Sequence, residues 1–371
     1  MRNVIFWWTR GIQILRELWR QLHLLVASKF TKKKKTEMQD IPTHFQKELD
    51  DLARKLISAF DLEFKQPSNS PVPDPVSRWL DFRLRYIEPK PRKVFKSNKF
   101  PVAIPVEIEE ALKSLEVLIR DGGDINPYQS KTSVLNDTSG LKPQRRTDGL
   151  WASWGIHHLH LTNIPLAASQ KFSARSDWLL FLMVEDDGIA FIDIREHSES
   201  NLWTQDDLVK TYVRSFPKHS ERFRMEGVVG LAGSALTQDE TGKLRNAGIT
   251  TFLQVDGGVF SPPGGGVTSA VTSTKAIRAE AAIRSNLKLV AKWAADPEQP
   301  IQLAIKELKV SDAQLDLCVT QEGNLGIALL KPETVWQFHR SRSDGQSDAL
   351  IAVHEGFLPQ WAGKELVKHW R

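Results

Sequence analysis

Cysteine is almost missing from this 371-residue chain. The single Cys318 excludes an intramolecular disulfide framework and any multi-cysteine zinc knuckle, and it fits a reducing cytoplasm. Tyrosine is scarce, at three residues against twelve tryptophans. Nowhere does a long apolar run escape charge, so no transmembrane span is expected. The sequence also lacks a Walker spacing, a G-x-G-x-x-G turn and an H-E-x-x-H pair. Those absences remove the strongest signatures of nucleotide-binding and zinc-peptidase chemistry.

The positive charge is unevenly placed. Residues 1–36 hold nine Lys/Arg and one Glu, and residues 78–99 hold eight Lys/Arg and two acids. With a net charge of +5, the rest of the chain is therefore acidic. Two basic segments suit an anionic partner, whether nucleic acid, membrane surface or acidic protein.

Hydrophobic periodicity predicts the elements. Ile5, Trp8, Ile12, Leu15, Trp19, Leu22 and Val26 form one stripe of an amphipathic helix over 4–27. Lys32-Lys33-Lys34-Lys35 follows, so residues 1–36 can pack on a protein partner or lie on an anionic bilayer. No small-residue cleavage site follows, which argues against a secretory signal. A second helix is expected over 44–65, a four-proline linker over 66–75, and a half-buried strand with solvated cations over 77–100. Helices are expected at 105–121, 204–216 and 274–295. Strands are expected at 154–161, 178–184 and 189–194, in a hairpin at 249–260, and in two runs over 313–330 turning at Glu322-Gly-Asn324. The expected fold class is α+β: a small, mainly antiparallel sheet flanked by helices, with N-terminal helices and a separate C-terminal α+β domain. The expected boundaries are 1–65, 66–104, 105–220 and 221–371.

Three histidines in four residues mark the candidate site: Trp154-Gly-Ile-His157-His158-Leu-His160-Leu161. On a strand, His158 and His160 share one face, and His157 shares the other with Leu159 and Leu161. Asp193, Arg195 and His197 share a face of the strand after the Glu185-Asp-Asp-Gly188 turn. If the faces match, imidazoles and a carboxylate converge. One histidine then serves as general base on a ribose 2′-hydroxyl and another as general acid, with Lys171 or Arg175 stabilising the phosphorane charge. His158, His160 and Asp193 with His197 are alternatively a divalent-metal set. A third reading keeps the histidines structural and makes the chain an interaction protein docking through residues 1–36. Residues 185–199 hold six acids and one Arg, which opposes a phosphate site unless Lys142, Arg145, Arg146, Lys171 and Arg175 offset them. Pro263-Gly264-Gly265-Gly266 before a helix is a weaker candidate for anion binding.

The run 105–217, with its three-histidine strand and the hairpin WLLFLMVEDDGIAFIDIREH, resembles small bacterial toxins of the RelE/ParE/HigB type, and more broadly the barnase/EndoU-like ribonucleases. The resemblance implies metal-independent RNA cleavage in the bacterial cytoplasm, as in toxin–antitoxin systems. It calls for no cofactor and implies RNA as partner, with His158, His160, Arg195 and His197 on the sheet as the cleaving residues. The chain is three to four times the usual toxin length, its hairpin turn is acidic, and its C-terminal part has no counterpart.

Overall fold

A computed structural model describes residues 40–200, 202–231, 236–331, 333–336 and 345–370. The amphipathic stretch 4–27 and the lysine run 32–35 lie outside the described residues. The fold is mixed α+β, with sheets of four, two and three strands. No described helix is long and apolar enough to cross a membrane.

Helix α1 (Ile41–Ala59) carries Pro42 in its first turn, where the missing N–H costs nothing. Its stripe Phe45, Leu49, Leu52, Leu56 is buried. Helix α2 (Pro75–Arg83) follows, with Asp74 as N-cap accepting from the Ser77 N–H. Strand β1 (Lys93–Lys96) and helix α3 (Val106–Arg120) lead to two single turns of chain, α4 (Thr132–Leu135) and α5 (Gly149–Trp154). Gly155 ends α5 at φ 71°, a left-handed C-cap that favours glycine.

Strands β2 (His157–His160), β3 (Trp178–Val184) and β4 (Gly188–Glu196) complete the main sheet in the order β1-β4-β3-β2. Its pairs are antiparallel except β1 with β4. The strand expected over 154–161 is therefore shorter, because Trp154 belongs to α5. Both sheet faces are apolar, as the unbroken run in β3 requires. Leu159, Leu180, Leu182 and Phe191 pack on Ile108, Leu112 and Leu115 of α3. Leu179, Phe181, Met183 and Ile192 pack on helix α6 (Asp207–Ser215) through Leu208, Val209 and Tyr212. A register shift between Phe181 and Leu182 leaves Ile192 as a bulge, so Phe181 faces Asp193.

After helix α7 (Pro217–Ser220) and helix α8 (Gln238–Asn246), the hairpin β5 (Leu253–Val255) and β6 (Gly258–Phe260) closes the α6 face. Helix α9 (Thr274–Ala295) and helix α10 (Pro300–Glu307) precede the sheet of β7 (Leu315–Val319), β8 (Leu325–Leu330) and β9 (Glu333–Trp336). Helices α11 (Gly345–Phe357) and α12 (Gln360–Trp370) end the described chain.

The cores divide differently from the expected boundaries. Phe45, Leu49, Leu56, Trp79 and Leu80 share one core with Ile283, Leu287, Leu317, Ile327, Val353 and Leu366. The first helices thus belong with the C-terminal elements, and the main-sheet unit from about Ile87 to Phe260 is inserted between them. The reason is cover. The α1 stripe buries side chains contributing about 1.5–3 kcal/mol each, and α9 supplies the matching apolar face. The 66–104 segment is likewise corrected. It contains α2, around which Arg78, Asp81 and Arg85 are buried, whereas the edge strand β1 is half-buried with Lys93 and Lys96 exposed, as expected.

Candidate functional site

The sheet register sets the site. His158 pairs with Phe181 and Phe181 with Asp193, while His160 pairs with Leu179 and Leu179 with Arg195. Both rows therefore lie on the α6 face. The His197 N–H donates to the Asp177 carbonyl at 2.6 Å, which extends this face one step. The His160 and His197 rings stack with centroids 6.4 Å apart and planes 12° apart.

His160 lines a cleft of about 730 Å³, which Gln129, Lys131, Lys171 and Arg175 also line. None of its lining residues is acidic. The acids of the 185–187 turn lie at the other end of β3. Six residues of strand, at about 3.3 Å each, separate that turn from Leu179 opposite His160. That distance exceeds the screening length of about 8 Å at physiological salt. The lining itself is therefore basic, although Lys171 Nζ lies 3.4 Å from Asp61 and the acids Asp193 and Glu196 stand at this end of the hairpin.

The His160 Nδ1 lies 3.0 Å from the Ser176 carbonyl and 3.4 Å from the Ser176 N–H. The shorter contact places the proton on Nδ1 and leaves Nε2 with its lone pair. Burial depresses the His160 pKa, partly opposed by the Ser176 carbonyl. The imidazole is thus a neutral base over a wider range than free histidine. Arg175 Nη2 approaches His197 Nε2 at 3.4 Å, with the guanidinium donating. Lys171 Nζ donates to the Phe60 carbonyl at 2.7 Å.

His158 takes a different role. It is no more buried than His160, 9% against 8% exposed, but it does not line the cleft, and its ring packs edge-on against Trp203 at 4.8 Å. Its nearest carboxylate is Asp148, not Asp193, with Nδ1 3.7 Å from Oδ2. That is too long for a hydrogen bond, and Nδ1 has no partner among the described residues. Burial pushes His158 down, against the pull of Asp148. Asp148 itself caps α5, its Oδ1 accepting from the Leu150 and Trp151 N–H groups at 3.0 Å each. Burial raises its carboxyl, but His158, Arg85 and the Trp151 N–H together bring it below the ordinary range. Buried Arg245 sits beside this group, donating to the Trp203 carbonyl at 2.6 Å with its guanidinium 5.8 Å from the Trp154 ring.

Two predicted groupings are not assembled. Asp193 accepts from the Arg195 Nε at 2.8 Å, and Arg195 is further bound by Gln205, Asp207 and Glu199. Both are spent in an ion-pair network on the rim, because two residues apart on β4 their side chains meet each other first. The metal set of His158, His160, Asp193 and His197 also fails to converge. Among the described residues, the donor atoms close enough for one cation belong to His44, Glu48 and Asp316.

His157 faces a second cleft of about 470 Å³, lined also by Trp151, Arg222, Gly264 and Lys275. Burial, opposed by Asp148, depresses its pKa to about 3. The Gly264 turn has a packing reason for its composition, since a Cβ there would overlap the Trp151 carbonyl oxygen.

Sequence reasoning missed Asp148, Trp203, Ser176 and Lys131. Only Asp148 carried a local signal, an N-cap residue just ahead of the Leu-Trp-Ala run. Comparison of the chain with protein-family models, curated proteins and solved structures returns no match.

Proposed function

We propose that the chain is a metal-independent ribonuclease that cleaves RNA by 2′-hydroxyl transesterification at the cleft lined by His160, with His197 stacked behind it. One observation carries this reading: His160 opens into a cleft lined by Lys131, Lys171 and Arg175 and by no carboxylate. A phosphodiester needs cations for its charge and a neutral base for the 2′-hydroxyl, and this cleft offers both.

The step proceeds as follows. His160 Nε2 takes the 2′-hydroxyl proton, the 2′-oxygen bonds to phosphorus, and the bond from phosphorus to the 5′-oxygen breaks. Protonated His197 gives its proton to that leaving oxygen. Arg175 and Lys171 oppose the charge that develops on the phosphoryl oxygens. A phosphate is a stronger acceptor for Arg175 than an imidazole, so substrate binding releases His197 Nε2 from its present neighbour. The products are a 2′,3′-cyclic phosphate and a 5′-hydroxyl. His158, Asp148, Trp203 and Arg245 form the wall behind the pair. This assignment keeps His160, His197 and Arg175 of the expected catalytic group and moves His158, Asp193 and Arg195 to supporting positions.

The test is cleavage of single-stranded RNA by the purified chain with and without EDTA, beside the matched DNA. EDTA-resistant cleavage giving a 2′,3′-cyclic end, with the DNA intact, is the expected result. No cleavage by folded wild type, or cleavage that survives His160→Ala, overturns the reading.

A further inference from the structure

We infer that His44, Glu48 and Asp316 form a divalent-metal site of zinc-binding chemistry that ties helix α1 to strand β7. This site belongs to the other core and is independent of the proposed cleavage site.

Residues 44 and 48 are one turn apart on α1, so their side chains share a face. Asp316 on β7 meets them across 268 residues of chain. His44 Nε2 lies 2.7 Å from Asp316 Oδ1 and 3.4 Å from Glu48 Oε2. One ligand atom from each residue lies within 4.8 Å of the others. A tetrahedral zinc with bonds near 2.0–2.1 Å holds its donors about 3.3 Å apart. The cluster therefore needs its donor separations to change by no more than about 1.5 Å to close on an ion.

Three further features fit an ion at this place. The Leu317 N–H donates to Glu48 Oε2 at 2.6 Å, an outer contact of the kind that fixes a ligating carboxylate. The side chains are 33%, 19% and 25% exposed, which leaves an approach from solvent and room for water as fourth ligand. The donor set of one imidazole and two carboxylates carries a formal charge of −2. An imidazole nitrogen suits zinc and not magnesium, which prefers oxygen donors.

The experiment uses the full chain stripped with EDTA and then titrated with zinc chloride or magnesium chloride by calorimetry, with thermal unfolding in parallel. One zinc per chain, a rise of several degrees in Tm and no response to magnesium are expected. Asp316→Asn and His44→Gln should each weaken zinc at least 10-fold, while His369→Ala on α12 leaves it unchanged. X-ray absorption of the zinc-loaded chain should show one imidazole among oxygen donors. Asp316→Asn preserves shape, so it carries the test if His44→Gln does not fold. Absence of zinc binding at 1 mM overturns the proposal, as does unchanged affinity in both variants. In either case the three groups are an ion-paired triad with the proton on His44. Because zinc here is structural, EDTA should lower Tm without abolishing RNA cleavage, which separates this proposal from the previous one.

Discussion

The imidazoles of His160 and His197 lie nearly parallel, 6.4 Å between centroids, while His158 on the same sheet face is closed in by Trp203. Of the three, His160 lines the cleft, and Trp203 packs edge-on against both His158 and His197. His160→Ala should lower RNA cleavage by about 10²–10⁴-fold, the usual contribution of a positioned acid or base. Its melting temperature should also fall, because the ring is buried and bonded to Ser176. His158→Ala should lower Tm as well but leave cleavage within about tenfold of wild type, so activity separates the two. Rates and melting curves on both variants check this, and equal activity losses would place His158 in the reacting pair.

The acid limb of the cleavage profile should lie below the ordinary histidine range. In the proposed reaction His160 is the base, which requires it unprotonated, and burial depresses its pKa. Activity should therefore persist as pH falls through 6.5 and fail lower down. A kcat/KM profile with and without salt measures it. An acid limb above 6.5 would assign the base to another group.

Stability should fall on the same side. His157 is held near 3, and His158 and His160 are also depressed, each chiefly by burial. At these three positions the unfolded chain binds more protons below pH 6.5 than the folded chain does, whereas His44, raised to about 10 by its bond to Asp316, loses its contribution as pH rises above 6.5. Folding stability must then drop as pH falls from about 6.5, by up to about 1.4 kcal/mol per pH unit for each histidine. Denaturant unfolding at pH 7, 6 and 5 should show the loss starting before carboxylates titrate. His157→Gln should flatten the curve.

Much of the fold was legible where pattern alone decides it. The expected helix 274–295 and the strand 178–184 coincide with α9 and β3. There the spacing of apolar residues is strong and the ends are capped. Helix α2 was hidden by its own start signal, since Pro75 after Asp74 reads as a break inside a four-proline run but is a first-turn proline behind an N-cap. Placing His160 on one face with His197 was readable from alternation. The carboxylate beside His158 was not, because Asp148 reaches it through the fold and its distance along the chain carries no pattern. The burial of Arg78, Asp81 and Arg85 was equally invisible, as sequence charge says nothing of what packs above it.

Asp148 does two jobs that substitution can separate. It caps α5 and it places a negative charge beside His158 and Arg245. Asn is as good an N-cap, so Asp148→Asn should cost only the charge, whereas Asp148→Ala should add about 1 kcal/mol for the lost cap. Chemical denaturation of both variants gives the difference. Equal costs would mean that the cap contributes nothing here.

The pair Asp81 and Arg85 gives the sharpest stability prediction. Arg85 Nη2 donates to Asp81 Oδ2 at 2.9 Å, and Thr147 donates to Oδ1 at 2.5 Å, with both charged side chains nearly or fully buried. Asp81→Ala removes the charge that offsets Arg85 and strands the Thr147 hydroxyl. Breaking one partner of a buried pair costs about 3–5 kcal/mol. Replacing both, as Asp81→Leu with Arg85→Met, removes the desolvation penalty along with the attraction and should cost less than Asp81→Ala alone. A double-mutant cycle by urea unfolding tests this. A double variant less stable than either single one would show that Arg85 is held mainly by its other contacts, the Asp81 and Ser133 carbonyls and the Trp151 ring 5.8 Å away. The result bears on the cleft, because Gln129 on its wall donates to the Arg85 carbonyl at 3.3 Å. Loosening Arg85 should therefore weaken RNA binding before it alters the chemical step.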